Sequence, residues 1–152
     1  MSSVPTGLFR LVYYSRSLVA PEVFDETIDS IIRKSIANNR TDAISGMLFC
    51  HDGWFLQALE GSHKAIGATL ARIEADPRHE AVQLLGSAQA EGRLFREWDM
   101  CARTLSMVDA KVADAIARRG AFDPARLSLE TATRLLTRLR TVRDDAQLRF
   151  VA

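Results

Sequence analysis

Two polar side chains within apolar segments are the residues of this sequence best suited to chemistry. Tyr13 follows Phe9 and Leu11 at alternate positions of FRLVYYS, and Gln57 lies inside the apolar run WFLQAL. Side chains two apart on a strand share a sheet face. A phenol and a carboxamide on an apolar face must each find a hydrogen-bond partner or cost roughly 2 kcal/mol or more. A carboxamide also carries an acceptor and donors on one rotatable group, so it can act as a two-state element.

Two interpretations of Gln57 remain open from this pattern alone. The amide could bond to Tyr13 or to a backbone group and merely satisfy the core, or it could serve a bound ligand. Tyr14 is expected on the opposite face, with a packing role. Trp98 and Met100 share a face of a later segment and are further candidates.

Other kinds of site find little support. His51, His63 and His79 do not lie near cysteines or carboxylates at the spacing of metal ligands, so we predict no metal site. A phosphate-handling hydrolase would need a glycine-rich cradle after the first strand. The segment 15–18 offers Arg16 without such a cradle, so we expect no catalytic residues and no enzyme activity.

Composition narrows the class of protein further. The chain has 152 residues and is 47% hydrophobic, which suits one domain. Its 20 basic and 19 acidic residues give no reason to expect a nucleic acid or a membrane as partner. Cys50 and Cys101 have no CxxC spacing, and no apolar stretch approaches the length of a bilayer span. We therefore expect reduced thiols and a cytoplasmic location.

The elements that position these residues follow an alternating order. Strands are predicted over Phe9–Ser15, Ile44–Cys50, Trp54–Glu60 and Ala81–Leu85, with Asp-Gly marking a hairpin between the second and third. One helix is predicted from Pro21 to about residue 38. A second begins after Ser62, buries Ile66, Leu70 and Ile73, and ends before Pro77.

This order predicts a ferredoxin-like βαββαβ antiparallel α+β sandwich with both crossover helices on one sheet face. A short extra strand is predicted over Trp98–Ala102. Two C-terminal helices, roughly 107–119 and 129–144, carry apolar stripes that we expect to cover the opposite sheet face.

Several segments together resemble one family. In order along about residues 8–103 they are LFRLVYYS, SIANN, ISGMLFCHDGWFLQALEG, RIEADPRH and RLFREWDM. They resemble the BLUF family, the sensors of blue light using FAD. Agreement of several linked motifs is far more specific than one short pattern.

The resemblance implies a role for each matching residue. It places the photoactive tyrosine at Tyr13 and the switching glutamine at Gln57. Trp98 and Met100 correspond to the last-strand residues that exchange places near that glutamine or change their bonding. The implied flavin contacts are, besides Tyr13 and Gln57, Ile31 and Ile73 as apolar plates, Asn38 and Asn39 at the polar ring edge, Arg72 toward the ribityl phosphate, and Ser35, which is either helix packing or a minor contact.

The resemblance also implies the output. We expect a flexible N-terminus over 1–7, a flavin-binding domain over 8–103 and a helical cap or output segment over 104–152. The chain resembles the short BLUF proteins, so a separate protein partner or a change of homo-oligomer contacts would carry the signal. The flavin is most simply FAD, with FMN and riboflavin also compatible. The rival functions are an interaction module without cofactor and a small flavin-dependent oxidoreductase without photosensory role.

Overall fold

The described part of the chain comprises one mixed sheet and two helices. The computed structural model describes residues 7–19, 30, 43–95 and 122–139, together with the backbone of 101–104. The strands are β1 (Phe9–Ser17), β2 (Ser45–His51), β3 (Trp54–Gly61), β4 (His79–Gln89) and β5 (Cys101–Thr104). The helices are α1 (His63–Glu74) and α2 (Leu129–Arg138), and a 3-10 turn (Pro124–Arg126) precedes α2.

The strand order is β4-β1-β3-β2-β5. The first four strands pair antiparallel, in the arrangement expected of a ferredoxin-like fold, and β5 joins the edge parallel to β2. The hairpin between β2 and β3 turns at Asp52 and Gly53, both with positive φ. This is the geometry that an Asp-Gly pair favours. The predicted ferredoxin-like class is therefore confirmed.

Side chains divide the sheet into two faces, each with its own apolar layer. We call face A the side that packs under α1, with the buried residues Leu11, Tyr13, Ile44, Leu48, Cys50, Phe55, Leu59 and Ile66. Face B is the side that packs under α2, with Val12, Met47, Phe49, Leu56, Ala58, Phe95, Ala132, Leu136 and Leu139. Alternation along each central strand produces this division, because neighbouring residues point to opposite faces. Both faces are covered, as the apolar β3 segment predicts.

Helix α1 begins where the sequence predicts. The Ser62 hydroxyl accepts a hydrogen bond from Ala65 N at 3.1 Å, which satisfies one of the free N–H groups of the first turn. Ile66 is buried against face A, and Leu70 and Ile73 pack beside it half-buried. The predicted stripe of this helix is therefore confirmed. Of the predicted first crossover helix, from Pro21 to about residue 38, the structure describes only residue 30, which is helical.

Helix α2 covers face B as predicted for the second C-terminal helix. The Ser128 hydroxyl accepts from Thr131 N at 3.0 Å, and the Thr131 hydroxyl accepts from Ser128 N at 2.8 Å. This reciprocal pair forms a capping box. A Cβ added at Gly86 of β4 would lie 3.0 Å from Leu129 Cβ, so the missing side chain lets the helix start approach the sheet closely. The predicted helix over 107–119 lies outside the described residues.

The two edge strands differ most in extent from the sequence prediction, whereas the ends of β1, β2 and β3 differ by one or two residues. β4 runs over His79–Gln89 rather than Ala81–Leu85, and its pairing with β1 shifts register twice. Most of its side chains are exposed at the sheet edge, so the apolar alternation that marks a strand is missing at its ends. β5 extends to Thr104, beyond the predicted end at Ala102. The first residues of that prediction, from Trp98 to Met100, lie outside the described part.

Candidate functional site

The site forms around a side-chain pair on two adjacent central strands. Tyr13 of β1 and Gln57 of β3 are directly opposed in the antiparallel register, and both point to face A. Both are almost fully buried, with 2% and 5% of their surface exposed. The Tyr13 hydroxyl donates a hydrogen bond to Gln57 Oε1. The predicted proximity of the phenol and the carboxamide is therefore an observed contact.

The environment of Tyr13 keeps its phenol protonated. Burial is the main cause that raises the pKa of Tyr13 above its ordinary value, and the nearby Cys50 and Asp76 side chains add to it. A neutral phenol donates one hydrogen, and here that hydrogen is directed to the carboxamide oxygen. The NH2 group of Gln57 is therefore the end of the amide that takes no part in the bond to Tyr13.

A second polar chain on face A connects β1 to the end of α1. Ser15 Oγ lies 2.7 Å from His79 Nδ1, and His79 Nε2 lies 2.6 Å from the main-chain oxygen of Ile73. A carbonyl oxygen can only accept, so Nε2 carries the hydrogen and donates it. In the tautomer with its hydrogen on Nε2, Nδ1 accepts from the Ser15 hydroxyl. His79 therefore has a structural role, because it holds Ile73 relative to the strand of Tyr13.

Two of the predicted flavin contacts lie on α1. Ile73 is half-buried and packs against the face A layer, as an apolar plate requires. Arg72 is exposed, and its guanidinium donates to Thr69 Oγ1 at 3.3 Å. An exposed cation at this point suits an anionic group outside the core.

The remaining predicted site residues fall outside the described part of the chain. They are Ile31, Ser35, Asn38, Asn39, Trp98 and Met100, whose roles remain predictions. The described segment resumes at Ala43, four residues after the predicted asparagine pair, and continues directly into β2.

These residues fit a flavin by their chemistry. A planar ring with a polar edge needs an apolar surface for its faces and a few hydrogen-bonding groups for its edge. Face A provides the aliphatic side chains of Leu11, Ile66 and Ile73, and within them a carboxamide and a neutral phenol. Among the described residues, no group of three or more His, Cys, Asp or Glu side chains could hold a metal ion.

The decisive comparison is with protein-family models. Residues 8–101 match the model described as BLUF, sensors of blue-light using FAD. The chain belongs to the BLUF family. Proteins of this family are sensors of blue light that use a flavin. The expectation drawn from the sequence motifs is confirmed at this level, and neither rival function is favoured.

Relatives of known name support the assignment of this BLUF domain. A photoactivated adenylate cyclase subunit beta of Euglena gracilis is 32% identical over 99 residues, which are 65% of this chain and 12% of the relative. A photoactivated adenylate cyclase subunit alpha of the same organism is 32% identical over 95 residues, or 62% of this chain and 9% of the relative. The chain therefore spans about an eighth or less of these relatives.

Solved structures show the same fold. The structure titled BlrB, a BLUF protein in its dark state, is 27% identical with a TM-score of 0.70, covering 86% of this chain and 96% of that one. The BlsA ground state has a TM-score of 0.79 at 20% identity, covering 95% and 94%. A bacterial light-regulated adenylyl cyclase has a TM-score of 0.65 at 27% identity, covering 74% of this chain and 33% of its own.

One polar cluster of the BLUF domain has no counterpart in the sequence predictions. Glu60, at the end of β3, is completely buried and binds Arg10, Ser45 and the main chain after Arg93. A carboxylate inside an otherwise apolar strand is the signal that could have revealed it, because a buried charge needs partners. In the described part of the chain, no helix is long and apolar enough to cross a membrane.

Proposed function

We propose that the light response of this BLUF domain works through Tyr13 and Gln57, with the other predicted contacts holding the ring. The observation that carries the proposal is the buried hydrogen bond from the phenol to the carboxamide oxygen on face A. It joins a group that can release an electron and a proton to a group that can present either of two ends. No other pair of polar side chains on the described part of face A combines these two properties.

A flavin held by these residues would supply the absorption of blue light and an excited state able to accept an electron. Tyr13 is the donor in this scheme: its phenol loses an electron, and its proton moves toward the Gln57 oxygen to which it is already bonded. The electron and the proton both return to Tyr13 at the end of the cycle, so there is no net oxidation of the phenol. The phenol then faces a carboxamide that has rotated or tautomerised.

Gln57 stores the result of this cycle. Its side chain is buried on β3, so either orientation of the amide must find its partners inside the protein. The two ends of the amide differ in hydrogen-bonding character, and exchanging them changes what the polar edge of the ring receives. A small shift of the absorption band to the red is the expected signature.

The cofactor is proposed to be FAD, in keeping with the family description. The exposed Arg72 guanidinium at the last turn of α1 would serve the phosphate end of the molecule. Ile31, Ser35, Asn38, Asn39 and Ile73 are proposed to hold the ring. FMN remains compatible with this set, since one structure of similar fold is titled Klebsiella pneumoniae BlrP1 with FMN and cyclic diGMP.

The output is proposed to be a change of contacts and not a chemical product, so the domain itself is not an enzyme. Trp98 and Met100 would pass the shift to β5, and α2 would present it to a separate protein partner or a second copy of the chain. Arg134 and Arg138 are exposed on the outer side of α2 and offer cationic contacts to either. We retain the predicted division at 8–103 and 104–152, and a cytoplasmic location, as parts of this proposal.

The test is a light-minus-dark absorption spectrum of the flavin-loaded protein. The wild type should show a reversible red shift without added reductant, and Gln57→Leu should abolish it while retaining the flavin. Gln83→Leu, which replaces an exposed glutamine on β4, is the matched control and should respond like the wild type. A normal red shift in Gln57→Leu would contradict the proposed mechanism.

A further inference from the structure

A buried carboxylate on face B, at the end of the strand that carries Gln57, has both oxygens occupied. Glu60 Oε1 accepts from Ser45 Oγ at 3.1 Å and from Phe95 N at 2.9 Å. Glu60 Oε2 accepts from Arg10 Nε at 2.9 Å and from Leu94 N at 2.8 Å. Four donors from three separate parts of the chain therefore converge on one side chain that has no exposed surface.

Arg93, in the loop of residues 90–95 that follows β4, makes further hydrogen bonds beside Glu60. One nitrogen of its guanidinium donates to Ser45 Oγ at 2.8 Å and to the main-chain oxygen of Glu60 at 3.0 Å. The other terminal nitrogen of the guanidinium donates to the main-chain oxygen of Ala43 at 2.8 Å. The loop is thus fixed to the start of β2 and to the end of β3 at once.

The ion pair between Arg10 and Glu60 also connects β1 to the loop of residues 90–95. Arg10 contacts Glu60 at 2.9 Å, and its terminal nitrogen donates to the main-chain oxygen of Gly92 at 2.9 Å. Its side chain is 17% exposed, whereas that of Glu60 is fully buried. A charge-assisted bond in such surroundings is directional and not easily exchanged for water.

Four parts of the chain meet at Glu60 when its own strand is counted, and three of them are parts that the light response has to connect. β3 carries Gln57, three residues before Glu60 and on the opposite face of the strand. Residues 43–45 follow the predicted ring contact Asn39. Residues 92–95 lead toward Trp98 and end in Phe95, which is buried in the layer under α2. A displacement of β3 or of the segment before β2 therefore acts on the loop through this carboxylate.

We propose that Glu60 is the positioning residue that couples the state of the flavin side of β3 to residues 92–104. The inference rests on the proposed function, since it names the contact through which the Gln57 rearrangement leaves face A. The chemistry requires a carboxylate, because all four groups around it are donors. An amide would accept at one atom only and turn its own NH2 against the remaining N–H groups.

The test uses the full-length, flavin-loaded chain and two readouts on each variant. Light-minus-dark spectra report the chromophore, and light-minus-dark amide hydrogen exchange reports peptides covering 92–104. Glu60→Gln should retain the red shift, while its exchange difference falls by a factor of about 2 to 30, the range found for residues that modulate coupling between sites. Glu130→Gln, at an exposed carboxylate of α2, is the matched control and should behave as the wild type.

The outcomes separate the two proposals. A wild type without any red shift overturns the proposed function and this inference with it. A normal red shift with an undiminished exchange difference in Glu60→Gln overturns the role of Glu60 alone. If Glu60→Gln does not fold, Arg10→Gln provides the same comparison with the carboxylate kept; a smaller loss in the same peptides is expected, and a wild-type difference there also overturns the inference.

Discussion

The two faces of the sheet hold their buried polar groups in different ways. On face A, Tyr13 and Gln57 satisfy each other side chain to side chain, so rotation of one amide changes the bonding of both. On face B, Glu60 is held partly by main-chain N–H groups of Leu94 and Phe95, which cannot rotate away. Face A is therefore suited to change its hydrogen bonds, and face B is suited to transmit a displacement without changing them.

The largest expected effect comes from the apolar layer of face B. Leu136 of α2 is completely buried, and Leu136→Ala should lower the free energy of unfolding by about 2 to 5 kcal/mol. Urea unfolding measures this change. The red shift should survive in the remaining folded protein, because Leu136 belongs to the apolar layer of face B. A lost red shift in a folded variant would break the distinction between the faces.

Leu135, the half-buried neighbour of Leu136 on α2, provides the control for this prediction. Leu135 is less buried than Leu136 and packs at the margin of the same layer. Leu135→Ala removes the same atoms from the helix, so the difference between the two variants isolates burial. A cost for Leu135→Ala equal to that for Leu136→Ala would contradict the assignment of Leu136 to the centre of the layer.

An intermediate effect is expected from the polar chain on face A. His79→Leu leaves the Ser15 hydroxyl and the Ile73 carbonyl without their imidazole partner, and should cost about 1 to 3 kcal/mol of unfolding free energy. Because the bond positions Ile73, return from the lit to the dark spectrum should change in rate as well. Time-resolved absorption after illumination checks this. His63→Leu, at an exposed ring near Phe9, should leave that rate unchanged.

The smallest effect is expected at the turn between α1 and β4. Arg78 bonds to Asp76 at 2.6 Å, and this hydrogen bond is the main cause that lowers the pKa of the Asp76 carboxyl. A carboxyl with a lowered folded-state pKa stabilises the fold above its ordinary pKa and loses that contribution as pH falls through the folded value. Asp76→Asn should cost at most about 1 kcal/mol at neutral pH, because the pair is partly solvated.

The free energy of unfolding, measured from neutral to acidic pH, tests the direction of this pH dependence. The difference between wild type and Asp76→Asn should be present at neutral pH and shrink below the ordinary carboxyl pKa of 3.8. A difference in unfolding free energy that grows as the pH falls would contradict the stabilising role of the ionised Asp76 carboxyl.

The sequence predicts face A better than face B for a physical reason. Alternation in FRLVYYS and WFLQAL is local, so it groups Tyr13 with Phe9 and Leu11, and Gln57 with Phe55 and Leu59, without knowledge of the fold. The start of α1 follows equally from the local cap at Ser62. These predictions need only neighbours in the chain.

Face B depends on contacts between distant segments. The partners of Glu60 include main-chain groups 34 and 35 residues away, and main-chain positions leave no mark on residue type. The ends of the edge strand β4 are missed for a related reason: most of its side chains are exposed, so it lacks the apolar alternation of a central strand. Burial from tertiary packing, and not local preference, decides these elements.

The strand order has one more consequence, for the connection between β4 and β5. These strands lie at opposite margins of the sheet, four strand spacings apart, or about 19 Å. Residues 90–100 connect them, and a chain of that length can extend to about 36 Å. The connection therefore has nearly twice the reach it needs, so covalent tension cannot hold it in register. In its described part, residues 90–95, the connection is anchored by two bonds to the Glu60 carboxylate, donated by Leu94 N and Phe95 N.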